Sequence, residues 1–311
     1  MAKLSTPRLS GHETFSCRYA WLPKIVKELD LAQRANSYLF KNEDEAMVRL
    51  GVGKNMVRSI KFWSEVSGII KTLSGGGHEL TQFGKALFGH EGYDPYLEQQ
   101  ETLWLLHWKI STGIPPFFYW NQMLNYWHRA EFSINEVLPI LKRGLPVNSK
   151  VSDRTLVDGM RVFVRSYVPS RGAKGEVQED NLDCPLVELG FIQVSGQRLD
   201  EKANRTEPLY SFNYEDKPEI SDALFAYCLN DSWQKSSHSG DTLAFNFISS
   251  GTNSPGQIFK LPELAVRYRL ENLSSVTRGL LDFTESNTIQ QVVRTADLSE
   301  ATALDNIYIN N

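Results

Sequence analysis

Between Glu43 and Gly89 the spacing of apolar residues changes from helical to alternating and back, and that order leaves few folds open. EDEAMVRL is a short helical pattern with acids in its first turn, and LGVG supplies a glycine turn. In KNMVRSIKFWSEVSG the residues Met56, Val57, Ile60, Trp63 and Val66 recur at three- and four-residue steps and predict a second helix with one buried stripe. GIIKTLSGGGHELT then reads as two short strands joined by Gly75, Gly76 and Gly77, and QFGKALFG resumes helical spacing. Helix, glycine turn, helix and hairpin is the order of a winged helix-turn-helix, whose second helix enters the DNA major groove. Lys54, Asn55, Arg58 and Lys61 lie off the apolar stripe and are the expected DNA-binding residues, with Lys71 and His78 near the wing. Winged helices also dock proteins, so the order alone does not prove a DNA role.

Charge bears on that question only when it is read by segment. The whole chain of 311 residues has a formal net charge of −4, which speaks weakly against a nucleic-acid partner. From residue 141 to 175, however, eight basic residues face two acidic ones, a local +6. From residue 176 to 222, four basic residues face twelve acidic ones, a local −8. A basic face for phosphates is therefore compatible with a negative total. Within the basic segment, SDRTLVDGMRVFVRSY has a serine cap and the apolar positions Leu156, Met160, Phe163, Val164 and Tyr167. Arg154, Arg161 and Arg165 fall mostly off that stripe. With Arg171 and Lys174 in the following loop, they are expected to track a phosphate backbone.

The remaining pattern predicts a mainly α protein with small β hairpins and sheets, an α+β fold. Three regions are expected: a winged helix-turn-helix over residues 1–92, a helical, aromatic-rich core over 93–175, and a C-terminal winged-helix-like α+β unit over 176–311. The aromatic residues Trp104, Trp108, Phe117, Tyr119, Trp120, Tyr126 and Trp127 could serve as base-stacking platforms, but at helical spacing beside leucines they read better as core. His107 and His128 read as structural. In the last region DTLAFNFISS reads as a strand, SSVTRGLLDF as a helix, and TIQQVVRT and NIYIN as closing strands. Cys17, Cys184 and Cys228 are odd in number and widely spaced, which offers neither a disulfide framework nor a zinc motif. No stretch approaches 18 apolar residues, and the first fifteen residues lack an apolar signal core, so a cytoplasmic protein with no membrane partner is expected.

Strong catalytic signatures are missing. No GxxxxGK, GxGxxG after a strand, or GxSxG occurs, so nucleotide hydrolysis is not expected. His107-Trp108-Lys109 lacks the later aspartate of a phospholipase-D-type nuclease, and Glu215-Asp216-Lys217 is followed by Pro218 where a restriction-type site needs a strand. Two constellations remain. His12 and Glu13 stand side by side near Arg18, joining a proton carrier and a carboxylate to a phosphate-binding guanidinium, and are the catalytic candidates. Glu176, Glu179, Asp180 and Asp183 cluster beside the basic helix, and oxygen ligands of this kind suit Mg²⁺. Each has a bland reading as well, a capped helix start with a buried histidine and a solvated acidic loop.

At GHETFSCRYAWLPK, LGVGKNMVRSIKFW, LTQFGKALFG, DPYLEQQETLWLLHWK and VPSRGAKGEVQEDNLDCPLVELG the chain resembles a bacterial family long catalogued as a domain of unknown function. That family includes SspB, the DNA-nicking component of the Ssp single-strand DNA phosphorothioation defence system. These strings span about the first two thirds of the sequence. The resemblance implies a Mg²⁺-assisted endonuclease that nicks one DNA strand for sulfur incorporation. It also implies a cysteine desulfurase, an ATPase and an ATP-pyrophosphatase-like sulfurtransferase as partners. The family carries no nuclease signature that can be matched position by position, so the site residues above rest on their chemistry. A non-catalytic winged-helix adaptor that recruits sulfur-transfer enzymes, and a transcription regulator, stay open as alternatives.

Overall fold

The computed structural model describes residues 6–30, 38–169, 184–200, 205–236, 238 and 240–309. The chain divides into two compact units, Met1–Asn213 and Tyr214–Asn311. It is α+β, with helices around small antiparallel sheets. Among the described residues no helix is long and apolar enough to cross a membrane.

The first unit begins with α1 (Trp21–Asp30), whose Trp21, Leu22, Ile25, Val26 and Leu29 are buried. Helix α2 (Glu43–Leu50) starts where the Asn42 side chain accepts from the Glu45 N–H, and it ends at the left-handed Gly51. Helix α3 (Lys54–Val66) follows, then the antiparallel pair β1 (Ile70–Thr72) and β2 (His78–Leu80), and α4 (Gln82–Phe88) capped by Thr81. These elements match the predicted order. One local expectation is corrected: His78 does not present a wing surface but is 3% exposed. Its Nε2 lies 3.0 Å from Glu65 on α3, which also accepts from Thr72 Oγ1 at 2.9 Å and Arg8 Nη1 at 2.5 Å. Burial pushes the Glu65 carboxyl up, but the bonds from His78 and Arg8 outweigh it and hold the pKa at about 2. One carboxylate thus ties the hairpin and the N-terminal segment to α3.

Helices α5 (Gln100–Thr112), α6 (Phe118–Asn121), α7 (Ile134–Gly144) and α8 (Asp153–Arg165) build the aromatic core. Phe117 stacks on Trp120 at 4.5 Å, and the Tyr167 hydroxyl accepts from Trp120 Nε1 at 2.7 Å while meeting His107 Nδ1 at 2.6 Å. The aromatic candidates are core, except Tyr126, which is half exposed. His107 is buried as a structural residue, whereas His128 is exposed. Strands β3 (Glu131–Phe132), β4 (Ile192–Asp200) and β5 (Arg205–Phe212) form a sheet of order β3-β5-β4. Because β5 pairs with β3 through Glu131↔Ser211 and Phe132↔Tyr210, residues up to Asn213 belong to the same compact unit as the core. Cys17, Cys184 and Cys228 are buried thiols outside any disulfide.

The second unit contains α9 (Asp222–Lys235), β6 (Thr242–Ala244), α10 (Phe245–Ser250), α11 (Pro255–Phe259), α12 (Glu263–Glu271), α13 (Leu273–Val276), β7 (Leu281–Glu285), β8 (Gln290–Arg294) and α14 (Glu300–Tyr308). Its sheet has the order β6-β8-β7, antiparallel throughout. Three expectations need correction. DTLAFNFISS gives only three strand residues before α10, and LLDF leaves the helix to become β7. NIYIN is not a closing strand: Ser299 caps α14, and Ala303, Leu304 and Ile307 bury one helical face.

Candidate nucleic-acid interface

The loop that carries His12 is strained and tightly held. Gly11 has φ +116°, and a Cβ there would meet Phe62 Cδ2 at 2.7 Å, so only glycine fits. Glu13 and Thr14 follow in the left-handed region at φ 47° and 63°, which non-glycine residues adopt at a cost. Several bonds over-determine the loop. His12 O accepts from Ser59 Oγ at 3.0 Å and from the Phe15 N–H at 2.8 Å, and Phe15 O accepts from Trp63 Nε1 at 3.0 Å. Thr14 donates its N–H to His12 Nδ1 at 3.1 Å, and its carbonyl accepts from Arg165 Nη2 at 2.6 Å.

His12 itself is 6% exposed and lies among the rings of Phe62, Phe117 and Tyr119. Burial, reinforced by the Arg165 charge, lowers its pKa to about 4, so the ring is neutral near pH 7. Since Nδ1 accepts, the proton sits on Nε2, which makes no well-formed hydrogen bond inside the protein. The Glu13 charge acts weakly on Arg58 of α3, and Arg18 packs over the rings of Phe15 and Trp21. The three catalytic candidates thus have different surroundings, with His12 buried among core rings.

On α3, Lys54 and Arg58 are exposed and share one partner, Glu43 in the first turn of α2, at 2.8 and 2.7 Å. Hydrogen bonds from Arg58 and Lys54 pull the Glu43 carboxyl down to about 2. Asn55 is exposed and Lys61 is half-buried. On α8, Arg154, Asp158, Arg161 and Arg165 succeed one another at four-, three- and four-residue steps and so form one stripe. Asp158 meets Arg161 at 2.9 Å and Arg154 at 3.8 Å. Burial and then Arg161 lower the pKa of Arg165, whose guanidinium bonds back to Arg161 O as well as to the loop. The helix reaches this position because Gly159 lets Tyr119 cross it, with the Tyr119 hydroxyl donating to Thr155 O at 3.1 Å.

The stripe opens on a cavity of about 1170 Å³. Thr14, Asp158, Arg161 and Arg165 line one side, and Gln193, Val194, Gly196 and Gln197 of β4 with Tyr210 of β5 line the other. Arg165 thus joins the 11–15 loop to the cavity through the Thr14 carbonyl. Sequence reasoning named the arginines but missed Asp158, which pairs with two of them, and Glu43, which holds the α3 cations. Helical spacing could have found Asp158. Tyr210 and the β4 residues carry no local signal, because they meet α8 only through the tertiary fold.

Arg171, Lys174, Glu176, Glu179, Asp180 and Asp183 lie outside the described residues. Among the described residues no group of three or more His, Cys, Asp or Glu side chains could hold a metal ion.

The family described as "Protein of unknown function (DUF4007)" matches residues 9–308. Among solved structures, the fold is similar to a crystal structure of SspB, with a TM-score of 0.80, 23% identity, and coverage of 96% of this chain and 87% of that one. It is also similar to magnesium ion-bound SspB, with a TM-score of 0.79, 22% identity, and coverage of 98% and 91%. No curated protein matches the chain.

Proposed function

The chain belongs to the DUF4007 family, and on that premise we propose that it is a Mg²⁺-dependent DNA nickase acting in phosphorothioate-based defence. The juxtaposition of Arg161 and Arg165 with the strained 11–15 loop at one cavity carries this reading. Guanidinium groups bind and neutralise phosphate oxygens, and a preorganised pair costs little reorganisation when charge develops on a phosphodiester. The winged-helix reading of residues 43–88 adds duplex binding through α3, with Lys54, Asn55 and Arg58 on its exposed side. The strand order β6-β8-β7 of the second unit suits a winged helix as well.

In this reading Arg161 and Arg165 hold the scissile phosphate, and the loop fixes Arg165 through the Thr14 carbonyl. His12 shapes the loop; it takes the Thr14 N–H on Nδ1 and keeps its own proton on Nε2 inside the core. Proton transfer then falls to water in the cavity. Mg²⁺ dependence draws support from the magnesium-bound SspB neighbour and from the acidic sequence at Glu176, Glu179, Asp180 and Asp183. When bound, such an ion would supply charge to the phosphate. The cysteine desulfurase, ATPase and sulfurtransferase partners follow from the same system.

Conversion of supercoiled plasmid to open circle, with Mg²⁺ and with EDTA, tests the proposal. The purified protein should nick with Mg²⁺ only, and Arg161→Ala with Arg165→Ala should slow nicking by about 100-fold or more. DNA binding without any Mg²⁺-dependent nicking would replace the nickase with the adaptor reading.

A further inference from the structure

The cavity beside α8 has more to it than a phosphate track requires. A groove that only follows the backbone needs cations along its length. Here the arginines occupy one side, while the facing β4–β5 wall offers Val194, Tyr210 and Gln197. That wall has the parts that recognise a nucleobase: an aromatic residue, an apolar contact, and an amide able to donate and accept together at a base edge. At about 1170 Å³ the space is slightly above the range of small-ligand pockets, about 300–1,000 Å³, and cannot take in a turn of duplex.

The register of β4 against β5 sets which side chains share a face. Val194 stands opposite Tyr210 and Gln197 opposite Pro208, so both lie on the Tyr210 face, on either side of a bulge between Val194 and Gly196.

We infer that the cavity receives one unpaired nucleotide, its phosphate on Arg161 and Arg165 and its base against Tyr210 and Gln197. The inference rests on the DNA reading above and names the form of DNA that the same site takes. The nucleotide comes either from a single strand or from a duplex by eversion, and both present the same chemistry to the pocket.

Three fluorescent 12-mers separate the possibilities: a fully paired duplex, the same duplex with a central mismatch, and dT12. Proteins that extrude a base bind mismatched sites more tightly, because less pairing has to be broken. Binding by anisotropy should favour the mismatched duplex or dT12 over the paired duplex by about tenfold. A preference for the mismatch alone indicates eversion, and one for dT12 indicates a single strand. Val194→Trp, at a position 56% exposed on the Tyr210 face, narrows the pocket and should abolish the preference. Gln197→Trp, on the same face, narrows it at a second position and guards against a folding defect. Equal binding of all three probes by the unaltered protein, or a preference that survives both substitutions, overturns the inference and leaves the DNA reading intact. Failure to bind any of the three overturns the DNA reading itself.

Discussion

His12 couples the stability of the first unit to pH, and the coupling has a sign and a size. Unfolded, its imidazole titrates at 6.5; folded, burial and the Arg165 charge bring it to about 4, while Asp158 and the Leu9 backbone oppose the change. The Tyr119 ring packed beside it stays uncharged in this range, because burial raises that phenol to about 12. A histidine lowered on folding binds its proton more tightly when unfolded, so protonation favours unfolding. Its contribution is intact above pH 6.5 and lost as pH falls toward 4. Each tenfold change in proton affinity is worth about 1.36 kcal/mol, so the full loss is roughly 3 kcal/mol, of which about 2 kcal/mol falls between pH 7 and pH 5. Urea unfolding followed by tryptophan fluorescence reads it directly, since Trp21, Trp63, Trp104, Trp108, Trp120 and Trp127 lie in this unit and only Trp233 in the other. His12→Asn keeps an acceptor for the Thr14 N–H without a titrating ring. The difference in unfolding free energy between the two proteins should change by about 2 kcal/mol over that interval. A difference that does not vary with pH would refute the neutral, buried assignment.

Other perturbations test the architecture around it. Gly159→Ala places a Cβ 1.9 Å from Tyr119 Cζ and should cost about 3 kcal/mol in urea unfolding by forcing α8 off α6. Glu65→Gln removes the carboxylate shared by His78, Arg8 and Thr72, at an expected loss of about 3 kcal/mol at pH 7. Because the folded pKa of Glu65, about 2, lies below its ordinary 4.5, the stability it contributes is present above pH 4.5 and disappears as pH falls toward 2. In the same unfolding assay that cost should therefore shrink on acidification. Glu43→Gln releases Lys54 and Arg58 and should raise duplex affinity several-fold, with a steeper salt dependence, in an anisotropy titration.

Local periodicity carried most of the first unit. The stripe Val57, Ile60, Trp63 and Val66 is buried, the Gly75–Gly77 turn closes a hairpin, and Ser152 caps α8. Such features depend on neighbours in sequence, which is why they can be read there. The failures have one cause in common. His78 occupies a wing position by order, yet Glu65, thirteen residues away, draws it inward. Residues 306–309 look like an alternating strand, but Ser299 has already capped a helix that runs through them. The candidate site divides the same way. The arginine stripe is visible as helical spacing, whereas its opposite wall is built by β4 and β5, which begin at Ile192, well beyond the helix, and pairing of β5 with β3 sets where that wall stands.

The distribution of charge between the two units argues that the proposed phosphate binding belongs to the first. Residues 214–311 contain seven Lys and Arg against thirteen Asp and Glu, a formal −6, so within the total of −4 the first 213 residues carry +2. Helices α12 and α13 precede the β7–β8 hairpin, and α12 is the longer of the two. Its exposed residues are Glu263, Leu264, Tyr268 and Glu271, and Arg267 is tied to Glu285 at 2.5 Å. Two carboxylates and two apolar side chains offer phosphates nothing, since duplex affinity is set by the cations a face can bring to the backbone. The α3 face has the opposite make-up, with Lys54 and Arg58 sharing the single carboxylate of Glu43. The two units therefore differ in the charge they can bring to a partner, because side chains on the fold, and not the fold itself, decide what is bound.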